Sequence, residues 1–297
     1  MRNAFIEELV EQATTHDNIA LIVGDLGYSV VEPFANQFPD RFFNAGVAEQ
    51  NMTGLAAGLA SEGYHVFTYS IANFSTFRCA EQIRNDVDYH NLAVTVVSIG
   101  GGLAYGALGY SHHAVQDYSL IRCMPNMLIA SPGDSQEVKA CIRFLIDNPQ
   151  PSYLRLGKTS NLQFHKDIPK LSPGKWLSIV NNKEITDTIL STGGALEIAI
   201  NWRNKSTDFL NWNIHSMPLW GMKEKPLQPT QVENFSNVLT IEDHLQDGGF
   251  GSWMMESLIG RKELIDRLNT KALDPSICKL TGSQNTLNTL GGLRLFD

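Results

Sequence analysis

Apolar positions along this chain follow two periods that take turns. Phe5, Ile6, Leu9, Val10 and Ala13 fall on one face of a helix. Ile19-Ala-Leu-Ile-Val23 is then an unbroken apolar run that stops at Gly24-Asp25-Leu-Gly27, the pattern of a short buried strand. His65-Val-Phe-Thr-Tyr69, the run from Leu92 to Ile99, Met127-Leu-Ile-Ala130 and Ser152-Tyr-Leu-Arg-Leu156 repeat that pattern. Pro132-Gly-Asp-Ser135 supplies the turn and N-cap of a helix after the fourth of these strands. Strands separated by helical stretches predict a doubly wound, mainly parallel α/β sheet.

The pattern is interrupted after Gly157 by a stretch holding Thr, Ser, Asn, His, Asp, Pro and Gly, then resumes with Ile185-Thr-Asp-Thr-Ile-Leu190 and Gly193-Gly194. Val238-Leu-Thr-Ile-Glu242-Asp-His244 runs into Gly248-Gly-Phe-Gly251 and a helix, where the tight glycine run serves strand-to-helix packing. The chain therefore reads as two doubly wound α/β domains, residues 1–160 and 177–297, joined by a linker over 161–176. Neither Gly248-Gly-Phe-Gly251 nor the run from Gly100 to Gly106 fits the dinucleotide fingerprint, which needs G-x-G-x-x-G.

Composition narrows the class. A length of 297 residues suits one large or two medium domains. The net charge of −8 argues against nucleic acid as the main partner, which would require a basic face. Four cysteines show neither a C-x-x-C pair nor framework spacing, and read as reduced thiols of a cytoplasmic protein. The opening Met1-Arg-Asn-Ala-Phe-Ile-Glu-Glu is an amphipathic helix bearing acids rather than a signal peptide, and no apolar run is long enough for a bilayer.

The candidate chemistry begins at Gly46-Val47-Ala-Glu49-Gln-Asn, followed by Met52-Thr-Gly-Leu-Ala-Ala-Gly58-Leu. Glu49 stands at the entrance of a helix so rich in Gly and Ala that it is expected to pack closely against something. A carboxylate there also complements the helix dipole without any further role. Phe42-Phe-Asn-Ala-Gly-Val-Ala-Glu49-Gln nevertheless resembles the thiamin-diphosphate site of the transketolase family, which includes deoxyxylulose-phosphate synthases and the beta subunits of 2-oxo-acid dehydrogenases. The resemblance runs from about Arg2 to Lys158. It implies that Glu49 hydrogen-bonds the ring nitrogen of the cofactor's aminopyrimidine, favouring the imino tautomer that takes the thiazolium proton. A buried carboxylic acid with a single such partner can hold its proton near neutrality.

Further matches follow. Asn73-Phe74-Ser-Thr-Phe77-Arg78 resembles the segment whose phenylalanine stacks on the aminopyrimidine; Phe74 is the better match and Phe77 the second, while both would also serve as core residues. Asp25, at a strand's C-terminal end where open α/β sheets bind ligands, matches a family aspartate near the cofactor and equally suits a turn. Val47 joins the cofactor set by its place beside Glu49. Gly109-Tyr110-Ser-His112-His113 is similar to the Thr-His-Gln stretch of transketolases, which implies that His112 polarises the substrate carbonyl and moves a proton. His113 stands where a glutamine is usual. Two adjacent histidines lack the carboxylate or cysteine company of a metal site, so no metal ligands are assigned to this chain.

At the substrate end the sequence departs from its relatives. The acceptor-hydroxyl aspartate of the family falls at Leu108, and its phosphate-gripping base falls in Gly100-Gly101. The bare loop leaves Tyr105 and Tyr110 as its large polar groups, and its glycines would let a bulky substrate lie across it. Arg155 and Lys158 stand where the family often places a phosphate-binding base, or are ordinary solvated charges. The diphosphate-binding domain, with its Gly-Asp-Gly and trailing asparagines, is not found here. The resemblance therefore implies the C-terminal half of a split transketolase, with a pyrimidine-binding domain and a transketolase C-terminal-like domain. A partner chain would bring the diphosphate-binding domain and most ligands of a magnesium or calcium ion, in an α2β2 heterotetramer. The implied activity is transfer of a two-carbon ketol unit between sugar-type substrates. The beta chain of a 2-oxo-acid dehydrogenase, a deoxyketose synthase half and a catalytically silent scaffold are the alternatives.

Overall fold

The structure, a computed structural model, describes residues 1–158 and 163–296. The predicted boundary between residues 160 and 161 lies outside the described residues. Among the described residues, twelve strands form two sheets: β1 (Ile19–Val23), β2 (Phe42–Asn44), β3 (His65–Ile71), β4 (Val94–Gly101), β5 (Leu128–Ala130), β6 (Ser152–Gly157), β7 (Leu177–Val180), β8 (Asp187–Ser191), β9 (Asn213–Ser216), β10 (Leu219–Gly221), β11 (Asn237–Leu245) and β12 (Leu268–Leu273). The fold is α/β, as the alternation predicts, with both sheets mainly parallel.

The first sheet runs β10-β5-β6-β4-β3-β1-β2 and is parallel except at β10. Every residue of β1 and β4 is buried. That is the mark of a parallel strand covered on both faces, and it explains why these segments read as continuous apolar runs rather than alternating ones. The helix Arg2–Ala13 buries Phe5, Ile6 and Leu9, on the face its periodicity predicts. Asp134 caps the helix Ser135–Asp147 by accepting from the backbone N–H groups of Gln136 and Glu137 at 3.0 and 2.8 Å.

The second sheet runs β12-β11-β8-β9-β7, with β7 antiparallel at one edge. The two halves are not separate in space. Strand β10, from the C-terminal half of the chain, pairs antiparallel with β5 and becomes the edge of the first sheet. Inside β11, the Glu242 carboxylate accepts from the backbone N–H of Phe250 at 2.5 Å and of Gly251 at 2.8 Å, capping the helix Phe250–Ser257. A Cβ on Gly249 would lie 2.2 Å from that carboxylate, which accounts for the glycine run there.

Candidate active site

The C-terminal ends of β1, β2, β3, β4 and β6 share one edge of the first sheet, and the candidate residues sit on the loops that leave them. This is the edge at which open parallel sheets gather ligands.

Glu49 opens the helix Glu49–Ser61 and is 1% exposed. A carboxylate so deeply placed needs a partner. Arg78 Nη1 donates to its Oε2 at 2.6 Å, and Ser70 Oγ approaches Oε1 at 3.5 Å. Gly24, just beyond β1, walls the carboxylate: a Cβ there would meet Ser70 Oγ at 3.3 Å and Glu49 Cγ at 3.5 Å. The Arg78 guanidinium also lies over the Phe74 ring, 4.6 Å from its centroid. His112 meets the same ring edge-on at 5.2 Å, and its Nδ1 is 2.9 Å from Ser111 Oγ. Glu49, Arg78, Phe74 and His112 thus form one contiguous group, although they come from three separate loops.

Asn73 holds this group together, while in sequence it stands only as part of a motif. Its Nδ2 donates to the carbonyls of Ser111 at 3.2 Å and His113 at 3.0 Å, tying the loop after β3 to the loop after β4. Phe77 is half exposed. Asp25 adopts a left-handed backbone conformation at the end of β1 and accepts from Asn44 Nδ2 at 3.0 Å. Val47 is exposed, two residues before Glu49.

Two predicted substrate residues are placed elsewhere. Arg155 is no solvated base: it points into the interior from β6 and is 1% exposed. Its Nε donates to Asp117 Oδ2 and its Nη1 to Asp243 Oδ1, both at 2.7 Å, and Nη2 donates to the Ala114 carbonyl at 2.8 Å. Burial alone would lower its pKa. Asp117 and Asp243 more than offset this and hold the guanidinium well above its ordinary value. With Asp243 on β11, this cluster joins the two sheets. His113 is likewise buried, and its Nε2 faces the Gly106 carbonyl at 3.4 Å.

The glycine loop also has a reason other than a bulky ligand. A Cβ on Gly100 would collide with the Tyr105 ring at 2.2 Å, one on Gly101 with Arg155 at 2.8 Å, and one on Gly102 with Asp243 at 2.4 Å. The glycines make room for protein side chains. Tyr110 is exposed and donates to Gln116 Oε1 at 2.9 Å, and Leu108 is exposed beside it.

A cavity of about 580 Å³ opens next to this group, lined by Arg2, Gly100, Tyr105, Lys139, Gly157 and Lys158 among others. Tyr105 connects it to His112, the two rings lying edge-on at 6.4 Å. Lys139 is held by Glu7 at 3.6 Å, whereas among the described residues Arg2 and Lys158 form no salt bridge. Arg2 and Glu7 of the first helix both line the cavity, and in sequence the apolar period of that helix masks both charges.

The helix behind Glu49 buries Met52, Thr53, Ala56, Ala57 and Ala60. The close packing expected of the helix is met on this face, while its other face is open. A Cβ on Gly54 or Gly58 would meet nothing within 4 Å, and Leu55 is exposed between them.

The group fits one end of thiamin diphosphate. A buried carboxylate and an aromatic face already share a flat, hydrogen-bonding cation, and a protonatable heterocycle has the same shape and donors. Among the described residues no cluster of three or more His, Cys, Asp or Glu side chains could hold a metal ion. Nor is any helix among them long and apolar enough to cross a membrane.

The family described as "Transketolase, pyrimidine binding domain" matches residues 1–162. The chain is 34% identical over 261 residues to a putative transketolase C-terminal section of Methanocaldococcus jannaschii, covering 86% of this chain and 81% of that one. It is 29% identical over 267 residues to one of the subunits of an apulose-4-phosphate transketolase of Phocaeicola vulgatus, covering 86% and 83%. A solved structure described as "Split gene transketolase, inactive beta4 tetramer" superposes with a TM-score of 0.84 at 27% identity, covering 99% of this chain and 93% of that one. The chain belongs to the thiamin-diphosphate-dependent transketolase family and is of the split, C-terminal-section type.

Proposed function

We propose that this chain is the pyrimidine-binding half of a heteromeric enzyme that transfers a two-carbon ketol unit between sugar-type substrates. The observation that carries the proposal is the contiguous group of Glu49, Phe74 and His112 beside a cavity lined by Arg2 and Lys158, which have no salt-bridge partner among the described residues. Glu49 holds a proton at the aminopyrimidine ring nitrogen, Phe74 supplies the face against which the ring lies, and Phe77, Asp25 and Val47 border the same end of the cofactor. Thiamin diphosphate, when bound, supplies the carbanion that attacks a ketose carbonyl. His112 would give a proton to that carbonyl oxygen as it becomes a hydroxyl, and take one from the adjacent hydroxyl as the carbon–carbon bond breaks to release an aldehyde. Tyr105 separates His112 from the cations and sets the length of substrate the cavity accepts. Arg2 and Lys158 hold an anionic end of the substrate, the role the resemblance implies for Arg155 and Lys158.

The partner carries the diphosphate-binding domain and most ligands of the magnesium or calcium ion, in an α2β2 assembly. Support comes from the open Gly54 and Gly58 face directly behind Glu49, where a second chain can approach the backbone closely. A relative described as inactive as a β4 tetramer fits a chain that needs a different partner for activity. The working compartment is taken to be the cytoplasm, consistent with four unbonded cysteines.

The test is turnover of a ketose phosphate donor and an aldose acceptor by the chain copurified with its partner, for wild type and Glu49→Ala. An intact complex whose activity falls by orders of magnitude supports the proposal. Unchanged activity in the variant complex would make this chain a scaffold.

A further inference from the structure

Arg78 has no part in the function proposed above, yet it holds the two residues most important to it. Its guanidinium donates to the Glu49 carboxylate at 2.6 Å and covers the Phe74 face at 4.6 Å. Both surfaces are needed by the aminopyrimidine if Glu49 and Phe74 recognise it. We infer that Arg78 is a place-holder that occupies the pyrimidine slot in the cofactor-free chain and swings out when the cofactor enters; this rests on the thiamin-diphosphate reading of the site.

Physical reasons favour an arginine for the task. A buried carboxylate without a partner is strongly destabilising, so an empty slot lined by Glu49 would weaken the free chain before assembly. A guanidinium is flat, carries donors along its edge and stacks on aromatic rings, so it imitates a protonated heterocycle at both contacts. Arg78 is also able to leave: its side chain is 45% exposed against 1% for Glu49, and it sits in a short 3-10 turn, Phe77–Cys79, between helices. Released, the guanidinium regains water, which lowers the penalty for opening the slot. Cys79, next in sequence, is buried and anchors the turn, so the movement is confined to the Arg78 side chain.

A closed slot reduces apparent cofactor affinity by the fraction of molecules in which it is open. The test compares thiamin diphosphate binding by calorimetry, with magnesium present, in the chain–partner complex carrying wild-type Arg78 or Arg78→Met. The inference predicts that Arg78→Met binds roughly tenfold tighter, because no ion pair must be broken first. Equal or weaker binding by the variant would overturn it and make Arg78 a permanent support of Glu49. Should Arg78→Met fail to assemble, a crystal structure of the wild-type complex with thiamin diphosphate decides. The guanidinium lies away from Glu49 if the inference holds, and still within hydrogen-bond distance of Glu49 if it does not. Absence of any binding by the wild-type complex would overturn the thiamin-diphosphate reading itself, and this inference with it.

Discussion

Replacing Arg155 with methionine should destabilise the whole chain, and the structure says by how much. The side chain is enclosed and bonded to two carboxylates that are themselves buried, Asp117 at 0% and Asp243 at 4% exposure. Removing one partner of a buried ion pair leaves an uncompensated charge and costs about 3–5 kcal/mol. At roughly 2 °C per kcal/mol for a unit of this size, the unfolding temperature should fall by roughly 6–10 °C. The loss must also depend on pH. Burial already raises the Asp243 carboxyl above its ordinary range, with Arg155 opposing that rise. Without Arg155 the folded-state value climbs further. A carboxyl raised in this way contributes stability below its unfolded pKa and loses it as pH rises through the folded value. The deficit of Arg155→Met relative to wild type should therefore be largest at pH 7.5 and shrink toward pH 5. Adding Asp243→Asn should recover part of it. Thermal unfolding followed by circular dichroism at both pH values is the assay. A fall below about 2 °C, or a deficit independent of pH, would refute the reading of this cluster as the clamp between the two sheets.

Other outcomes are equally checkable. Lys158→Met and Arg2→Met in the assembled enzyme should each raise KM for a phosphorylated substrate about tenfold or more while leaving kcat within a few-fold, as expected when a ground-state contact is lost; an unphosphorylated ketose should show no such change. His112→Ala should lower kcat by about 10²–10⁴-fold with cofactor binding intact by calorimetry. Burial lowers His65, His215 and His244 to about 4. Histidines depressed in the folded state contribute stability above their unfolded value near 6.5 and lose it as pH falls toward 4, so thermal stability should decline through that window. His65→Gln, which keeps a polar partner for Thr95, should flatten part of the decline.

Much of this architecture is legible in sequence because burial on both faces writes itself as apolar runs. β1 begins and ends where its run does, and β4, β5 and β6 lie within two residues of theirs. What escaped has identifiable causes. β2 is three residues long and carries no period. β10 pairs across roughly ninety residues with β5, a contact that local pattern cannot announce. β7 is a part-exposed antiparallel edge strand outside the βαβ rhythm.

At the site, resemblance located Glu49, Phe74 and His112, and the structure brings the three together. It could not rank the cations. Arg155 shares its strand face with Tyr153, two residues away, in the middle of a sheet covered on both sides. A charge in that position has to be paired inside the protein, and the alternation held that signal. Arg2 and Arg78 lie within an amphipathic helix and a family motif, where each reads as ordinary surface charge. Gly100, Gly101 and Gly102 suggest room for a ligand, whereas Tyr105, Arg155 and Asp243 occupy that room.

If this chain holds one end of a thiamin-diphosphate site and a partner holds the other, cofactor binding needs both chains. Calorimetric titration of thiamin diphosphate with magnesium, into the chain alone and into the chain–partner complex, tests it most directly. One site per copy of this chain is expected in the complex, lost or greatly weakened by Glu49→Ala, with no tight site in the chain alone. Tight stoichiometric binding by the chain alone, or a catalytically active complex that binds none, would contradict it.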